Sequence, residues 1–243
     1  MKDRCIMQLH KMIFWVKPKK ESFKEISQRA YQVIQLLDSF GEDLKPKYFT
    51  AFKKSEAEQY DGTYNTLYSH LKRGVNREGN VVYEDLGYSI SFFSSMDNKR
   101  SAGIRMTLGV SHKSFVNTLI IKLPQAMDVY SKHVANNLTN LFKELIGAFN
   151  PFWGCIVNDL NVERYEGDLY KNHLPSTVHW LNFFGEDTVN KIGLDKIKQA
   201  PFQEVVEVGS GYFLKLKEYP IDDFSSEDVA LQAEVNRFLG LSY

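Results

Sequence analysis

The run Leu86-Gly87-Tyr88-Ser89-Ile90-Ser91-Phe92-Phe93-Ser94 sets Tyr88, Ile90 and Phe92 against Ser89, Ser91 and Phe93. A period of two sends successive side chains to opposite faces, so this stretch predicts a strand with one core face and one wetter face. Further strand candidates follow at 103–110 and 118–123. Their connections, 96–101 and 111–117, are short and polar, as in an antiparallel meander.

Outward from this meander, the period changes. Downstream, Val134, Leu138, Leu141, Phe142, Leu145 and Ile146 fall at helical spacing within 131–149. Gly147, Asn150 and Pro151 stop that helix. Upstream, Ser22 and Glu25 form a capping box ahead of Phe23, Ile26, Ala30, Val33, Ile34 and Leu37, with Gly41 closing the helix. Residues 6–16 read as a first strand and 47–52 as a short one. Tyr64, Leu67, Tyr68 and Leu71 suggest a short helix ending at Gly74, and 74–79 reads as a loop. After Pro151, strands are predicted at 152–158, 178–184, 204–208 and 212–217. Helices are predicted at 186–192, at 195–199 and after Ser225 or Ser226. Strands and helices come in runs rather than in strict βαβ alternation. The expected fold is therefore α+β, a largely antiparallel β-sheet packed with helices on one side. The expected organisation is one domain over 1–243, with any lobe break near 150.

Composition narrows the function. The 243 residues are long enough to bury a core without disulfides, and 43% hydrophobic with 14% aromatic residues excludes a disordered chain. Thirty basic residues balance thirty acidic ones, which argues against a general nucleic-acid binder. Cys5 and Cys155 are too few for a disulfide scaffold and sit in no CxxC pair. Residues 6–16 are broken by Gln8, His10 and Lys11, unlike an export signal, and no apolar run approaches the ~20 residues of a membrane span. A cytoplasmic protein with reduced cysteines is expected.

Chemistry is sparse. Gly209-Ser210-Gly211 lacks the GxSxG elbow pattern and reads as a hairpin turn; no GxxxxGK[ST] or GxGxxG is present. The histidines 10, 70, 112, 133, 173 and 179 have no HExxH spacing. The expectation is a protein with no catalytic residue, no cofactor and no bound metal. Carboxylates concentrate in two places. Asp159, Glu163, Glu166 and Asp168 fall within ten residues, opposed there by Arg164 alone. The segment 218–236 carries Glu218, Asp222, Asp223, Glu227, Asp228 and Glu234 with no Lys or Arg, whereas 1–24 carries seven basic and two acidic residues. The neutral total thus hides an acidic C-terminal face and a basic N-terminal edge. The 159–168 group reads as a solvated acidic loop, with a metal-holding site as the alternative.

The C-terminal third resembles a known family. Its cues are Val178-His179-Trp180-Leu181-Asn182-Phe183-Phe184-Gly185, then Val189 to Gly193, then Gly209-Ser210-Gly211-Tyr212-Phe213-Leu214-Lys215-Leu216 and Tyr219-Pro220, with Phe152-Trp153-Gly154 upstream. This pattern is similar to the immunity protein 52 family of bacterial polymorphic-toxin systems. A sister group of secretion-system immunity proteins, the domain-of-unknown-function 3396 group, shares a similar tryptophan strand and terminal region. The resemblance implies an α+β protein that binds and neutralises a cognate toxin, often a nuclease, and that has no catalytic residue of its own. The shared residues read as scaffold: Trp153 and Trp180 in the core, Gly154 and Gly211 beside strands, Gly185 and Gly193 at unusual backbone angles, and Pro220 ending a strand. A nuclease holds a polyanion and so carries a basic cleft. Asp159, Glu163, Glu166, Asp168, Asp222 and Asp223 are therefore the expected partner-binding residues, with 60–68 as the other candidate surface. No direct contact with nucleic acid or membrane is expected. Two other readings stand beside this one: a metal-dependent hydrolase or nuclease using the 159–168 carboxylates, and a housekeeping adaptor.

Overall fold

The computed structural model describes residues 8–164, 169–171 and 174–241. The chain starts with β1 (His10–Val16), α1 (Phe23–Phe40), β2 (Tyr48–Phe49), α2 (Tyr64–Arg73) and a small hairpin, β3 (Arg77–Glu78) with β4 (Val81–Val82). The meander β5 (Leu86–Phe93), β6 (Gly103–Val110) and β7 (Asn117–Lys122) follows, then α3 (Lys132–Phe149), β8 (Trp153–Asn158) and α4 (Asp159–Arg164). A second small hairpin, β9 (Tyr170–Lys171) with β10 (Leu174–Pro175), precedes β11 (Leu181–Gly185), α5 (Glu186–Ile192) and α6 (Leu194–Gln199). The described chain closes with β12 (Glu204–Val208), β13 (Gly211–Lys215) and α7 (Ser226–Leu239).

Nine strands form one sheet in the order β12-β13-β11-β8-β1-β7-β6-β5-β2, and every pairing is antiparallel. β1 lies at its centre, between β7 and β8, and joins the strands on either side of Pro151. Alternation along β1 explains the layering. Met12 and Phe14 enter one core with Ile26, Val33, Leu37, Leu138, Phe142 and Leu145 from α1 and α3; the Phe14 and Phe142 rings lie 4.8 Å apart. Ile13 points the other way, into a second core with Trp153, Cys155, Phe184, Leu214, Val189, Ile197, Val235 and Leu239. Each such large apolar side chain contributes about 1.5–3 kcal/mol on full burial.

The α+β class and the antiparallel sheet agree with the sequence, but the helices lie on both faces. α1 to α3 cover one face; α5 to α7 cover the other behind β8, β11 and β13. Continuous buried runs such as Trp153–Asn158 and Leu181–Gly185 are the sequence sign of two-sided cover. Over β6 and β7 no helix of the described residues covers the second face, and Arg105 and Lys122 stand exposed there.

Local rules account for the ends of the long helices. The capping box is complete: Ser22 Oγ accepts from the Glu25 N–H, and Glu25 accepts from the Ser22 N–H. α3 ends on Asn150 in the left-handed region (φ 50°), just before Pro151. Several expectations are corrected. The 74–79 segment contributes to a hairpin turned at Gly79 (φ 58°). The strand expected at 47–52 is only Tyr48–Phe49, and Phe52 is 99% exposed. Residues 159–164 are helical, because Asn158 Oδ1 caps the turn by accepting the Asn161 N–H at 2.7 Å. Trp180 precedes β11 rather than sitting within a strand. The Asn182 side chain takes the His179 N–H and donates to the His179 carbonyl, so the sheet cannot use them. Pro220 lies beyond the end of β13 at Lys215 and does not end it.

The other scaffold residues behave as follows. Trp153 and Trp180 are buried at 0% and 2% exposure, and the Trp180 indole donates to the Lys217 carbonyl at 3.1 Å. Gly193 has the positive φ expected of it, 95°. Gly185 does not: its φ is −72°, which any residue adopts. It is glycine for lack of room, since a Cβ there would stand 2.7 Å from the Phe152 carbonyl oxygen. Gly154 and Gly211 are crowded likewise, by the Phe14 ring and by the Phe184 carbonyl.

Candidate partner-binding end

Gln8, just before β1, organises one end of the molecule. Its Nε2 donates to Asp222 Oδ1 at 2.6 Å, while its Oε1 accepts from Tyr130 Oη at 3.0 Å and from Asn158 Nδ2 at 3.2 Å. One side chain thus ties the entry to β1, the turn before α3, the end of β8 and the loop before α7. Asp222 Oδ1 also accepts the Phe224 N–H at 3.0 Å, which turns that loop. A second link runs from α4: Asn161 Nδ2 donates to Asp223 Oδ1, and Arg164 pairs with Asp223 at 2.6 Å. The two acidic stretches therefore meet in space although some sixty residues separate them.

Their carboxylates divide into two kinds. Asp159 pairs with Lys11 and keeps a 40% exposed side chain. Asp228 pairs with Lys217 and accepts from the Asp222 N–H, while its own N–H donates to the Ser225 Oγ that caps α7. The Asp223 side chain is 3% exposed and faces Arg164, so it belongs to the scaffold and offers no charge to a partner. Asp222, Glu163 and Glu227 have no ion pair among the described residues; Glu163 and Glu227 are exposed and Asp222 is half-buried. The 60–68 segment lies elsewhere, along a groove of about 700 Å³ lined by Tyr31, Asp38, Glu42, Lys45, Lys47 and Tyr60. Glu166 and Asp168 lie outside the described residues.

Three exposed apolar side chains surround the Gln8 node: Leu9 (41%), Tyr130 (41%) and Phe224 (64%). Sequence reasoning missed all three. Phe224 carried a faint signal. It occupies the position before an N-cap, where an apolar residue commonly staples onto the first helical turn, yet it stays in solvent. Burial, and then the carboxylates of Asp222, Asp223 and Asp228, push the Tyr130 phenol up, which registers the negative field at this end. An aromatic and aliphatic centre with charged residues around it is the composition of a protein-binding patch.

No group of three His, Cys, Asp or Glu side chains that could hold a metal occurs among the described residues. Cys155 is buried, and burial pushes its thiol well up, away from the reactive thiolate. No helix of the described residues is long and apolar enough to cross a membrane.

Comparison with known proteins gives two results. The family model described as immunity protein 52 matches residues 10–240. The solved structure of the Pseudomonas aeruginosa T6SS protein PA0821 aligns with a TM-score of 0.62 at 13% identity, over 97% of this chain and 73% of that one. At that identity the likeness is one of fold alone. The search of curated proteins gives no match.

Proposed function

The chain belongs to the immunity protein 52 family, and from that membership we propose that it binds and neutralises one cognate toxin by occluding it. We place this action in the cytoplasm, and we take the toxin to be a nuclease. The contact surface is the end built around Gln8, with Leu9, Tyr130 and Phe224 as apolar anchors and Asp159, Glu163, Asp222 and Glu227 as its acidic rim. The observation that carries the surface is the convergence of two separate acidic stretches on exposed aromatic side chains. Negative charge complements the basic cleft that a polyanion-cleaving enzyme needs. Complementarity of this kind speeds association and selects the partner, whereas buried anchors supply most of the affinity. The protein acts by binding and contributes no catalytic group.

The test is co-expression with the C-terminal domain of the toxin encoded beside the gene, followed by co-purification and a cell-survival assay. Protection with a stoichiometric complex is the expected outcome. An adaptor unrelated to toxins would give neither. Loss of protection in a Phe224→Ala, Tyr130→Phe double variant that remains folded is expected for this surface.

A further inference from the structure

Two buried histidines beneath the Gln8 node share one small cavity. His10 on β1 is 5% exposed and His179, before β11, is 1% exposed. Both line a cavity of about 10 Å³ together with Asn158, Asn161, Trp180 and Pro220. Among the described residues, neither ring's Nε2 has a hydrogen-bond partner.

The surrounding network fixes what the His179 Nε2 can do. Gln232 Nε2 points at the Val178 carbonyl (2.6 Å), so that atom is the donor end of the amide, and Gln232 Oε1 is left to accept from Asn161 Nδ2 at 3.0 Å. Asn161 Nδ2 also donates to the Asp223 carboxylate, which sets the orientation of Asn161. Asn161 Oδ1 is therefore an acceptor, and the His179 Nδ1 at 3.0 Å must carry the proton. In a neutral ring, His179 Nε2 is then a bare lone pair. The buried Nε2 of His10 likewise has no partner among the described residues, and with the ring proton on Nδ1 it is the second lone pair. Burial disfavours the charged form of both rings.

We propose that this cavity is a site for one water molecule, which donates one hydrogen to His10 Nε2 and the other to His179 Nε2. A cavity of this size holds a single water, and two acceptors are what its two hydrogens need. The neighbouring amide groups are already engaged: Asn158 Nδ2 donates to Gln8 and to the Ile221 carbonyl, and its Oδ1 accepts from Asn161. A divalent cation would also accept two lone pairs, but among the described residues no carboxylate lines the cavity to balance its charge. Asp223 is engaged by Arg164 and lies outside the lining. The water is a buried staple between β1 and the segment leading into β11. The His10 ring meets the Tyr130 ring edge-on at 6.0 Å, so this staple also supports the exposed end above it. The inference does not depend on the toxin reading.

The experiment uses the full chain, ¹⁵N-labelled, at pH 7. Long-range ¹H–¹⁵N spectra of the histidine rings are expected to show both His10 and His179 neutral, with Nδ1 protonated and Nε2 bare. Cross-relaxation from one long-lived water to ring protons of both histidines is expected. A high-resolution crystal structure is expected to show one peak within ~3.2 Å of both Nε2 atoms. His10→Phe, which removes one acceptor and fills space, is expected to abolish the water signal at His179. Should that variant fail to fold, the wild-type spectra still decide. An Nε2-protonated ring at either position, the absence of such a water, or a stoichiometric metal ion by elemental analysis would overturn the proposal.

Discussion

Gln8 and Asp222, 214 positions apart in sequence, are joined side chain to side chain at 2.6 Å. The same Gln8 amide serves Tyr130 and Asn158, so its loss undoes three contacts at once. A net hydrogen bond contributes about 0.5–1.5 kcal/mol, and of these two are part-buried and the one from Tyr130 is exposed. Gln8→Ala is expected to lower stability by about 1–3 kcal/mol in urea unfolding and to loosen the 222–224 loop in hydrogen exchange. An unchanged exchange rate there would show that the loop is held by Asp228 instead.

Trp180→Ala removes a buried indole and its hydrogen bond to Lys217. Truncating a large core aromatic costs about 3–5 kcal/mol, a large share of a typical ~5–15 kcal/mol stability. Little soluble protein is expected. A soluble, fully folded variant that fails to bind the toxin would instead make Trp180 an interface residue.

Gly185→Ala places a methyl 2.7 Å from a backbone oxygen, where no flexible side chain can yield. About 1–3 kcal/mol of destabilisation is expected from overpacking. Gly147→Ala, in an open helical position with nothing within 4 Å, is expected to raise stability by up to about 1 kcal/mol. Equal midpoints for the two variants would contradict this steric account.

Much of the fold is legible in sequence because its signals are local. The alternation at 86–94, the capping box at Ser22 and Glu25, and the α3 stripe each need only a dozen residues of context. Three features are not local. Cover on the second face of the sheet comes from α5 to α7, whose own periodicity is short and weak. The turn at 159–164 depends on the Asn158 cap, and the late start of β11 on the Asn182 side chain. The candidate site was legible as two acidic compositions but not as one place. Hydrogen bonds spanning 62, 150 and 214 positions assemble it, and they reduce Asp223 from a surface charge to an internal ion-pair partner.

Acid is expected to destabilise the protein through the two buried histidines. Burial holds the His10 ring down to about 4 and the His179 ring down to about 3, against an ordinary value of 6.5. Near neutral pH both states are mostly unprotonated at these sites. As pH falls through 6.5 toward 4, the unfolded chain takes up protons that the folded chain refuses, so stability falls with pH across that window. Each histidine adds a slope of up to about 1.4 kcal/mol per pH unit. His10→Gln is expected to flatten the dependence between pH 6 and 4.5 by up to one such slope. An unchanged slope would show that His10 protonates in the folded state.

The acidic rim is expected to steer the toxin's approach to this end of the molecule. In a Glu163→Lys, Asp222→Asn, Glu227→Lys variant, association with the cognate toxin domain is measured by stopped flow at 50 mM and 500 mM salt. A parallel variant reverses Arg105 and Lys122 on the second face of the sheet. Association at least tenfold slower is expected for the rim variant at low salt, converging toward wild type at high salt, with little change for the variant at Arg105 and Lys122. Wild-type association for the rim variant at both salt concentrations, in protein shown to be folded, would contradict the claim that this end meets the toxin.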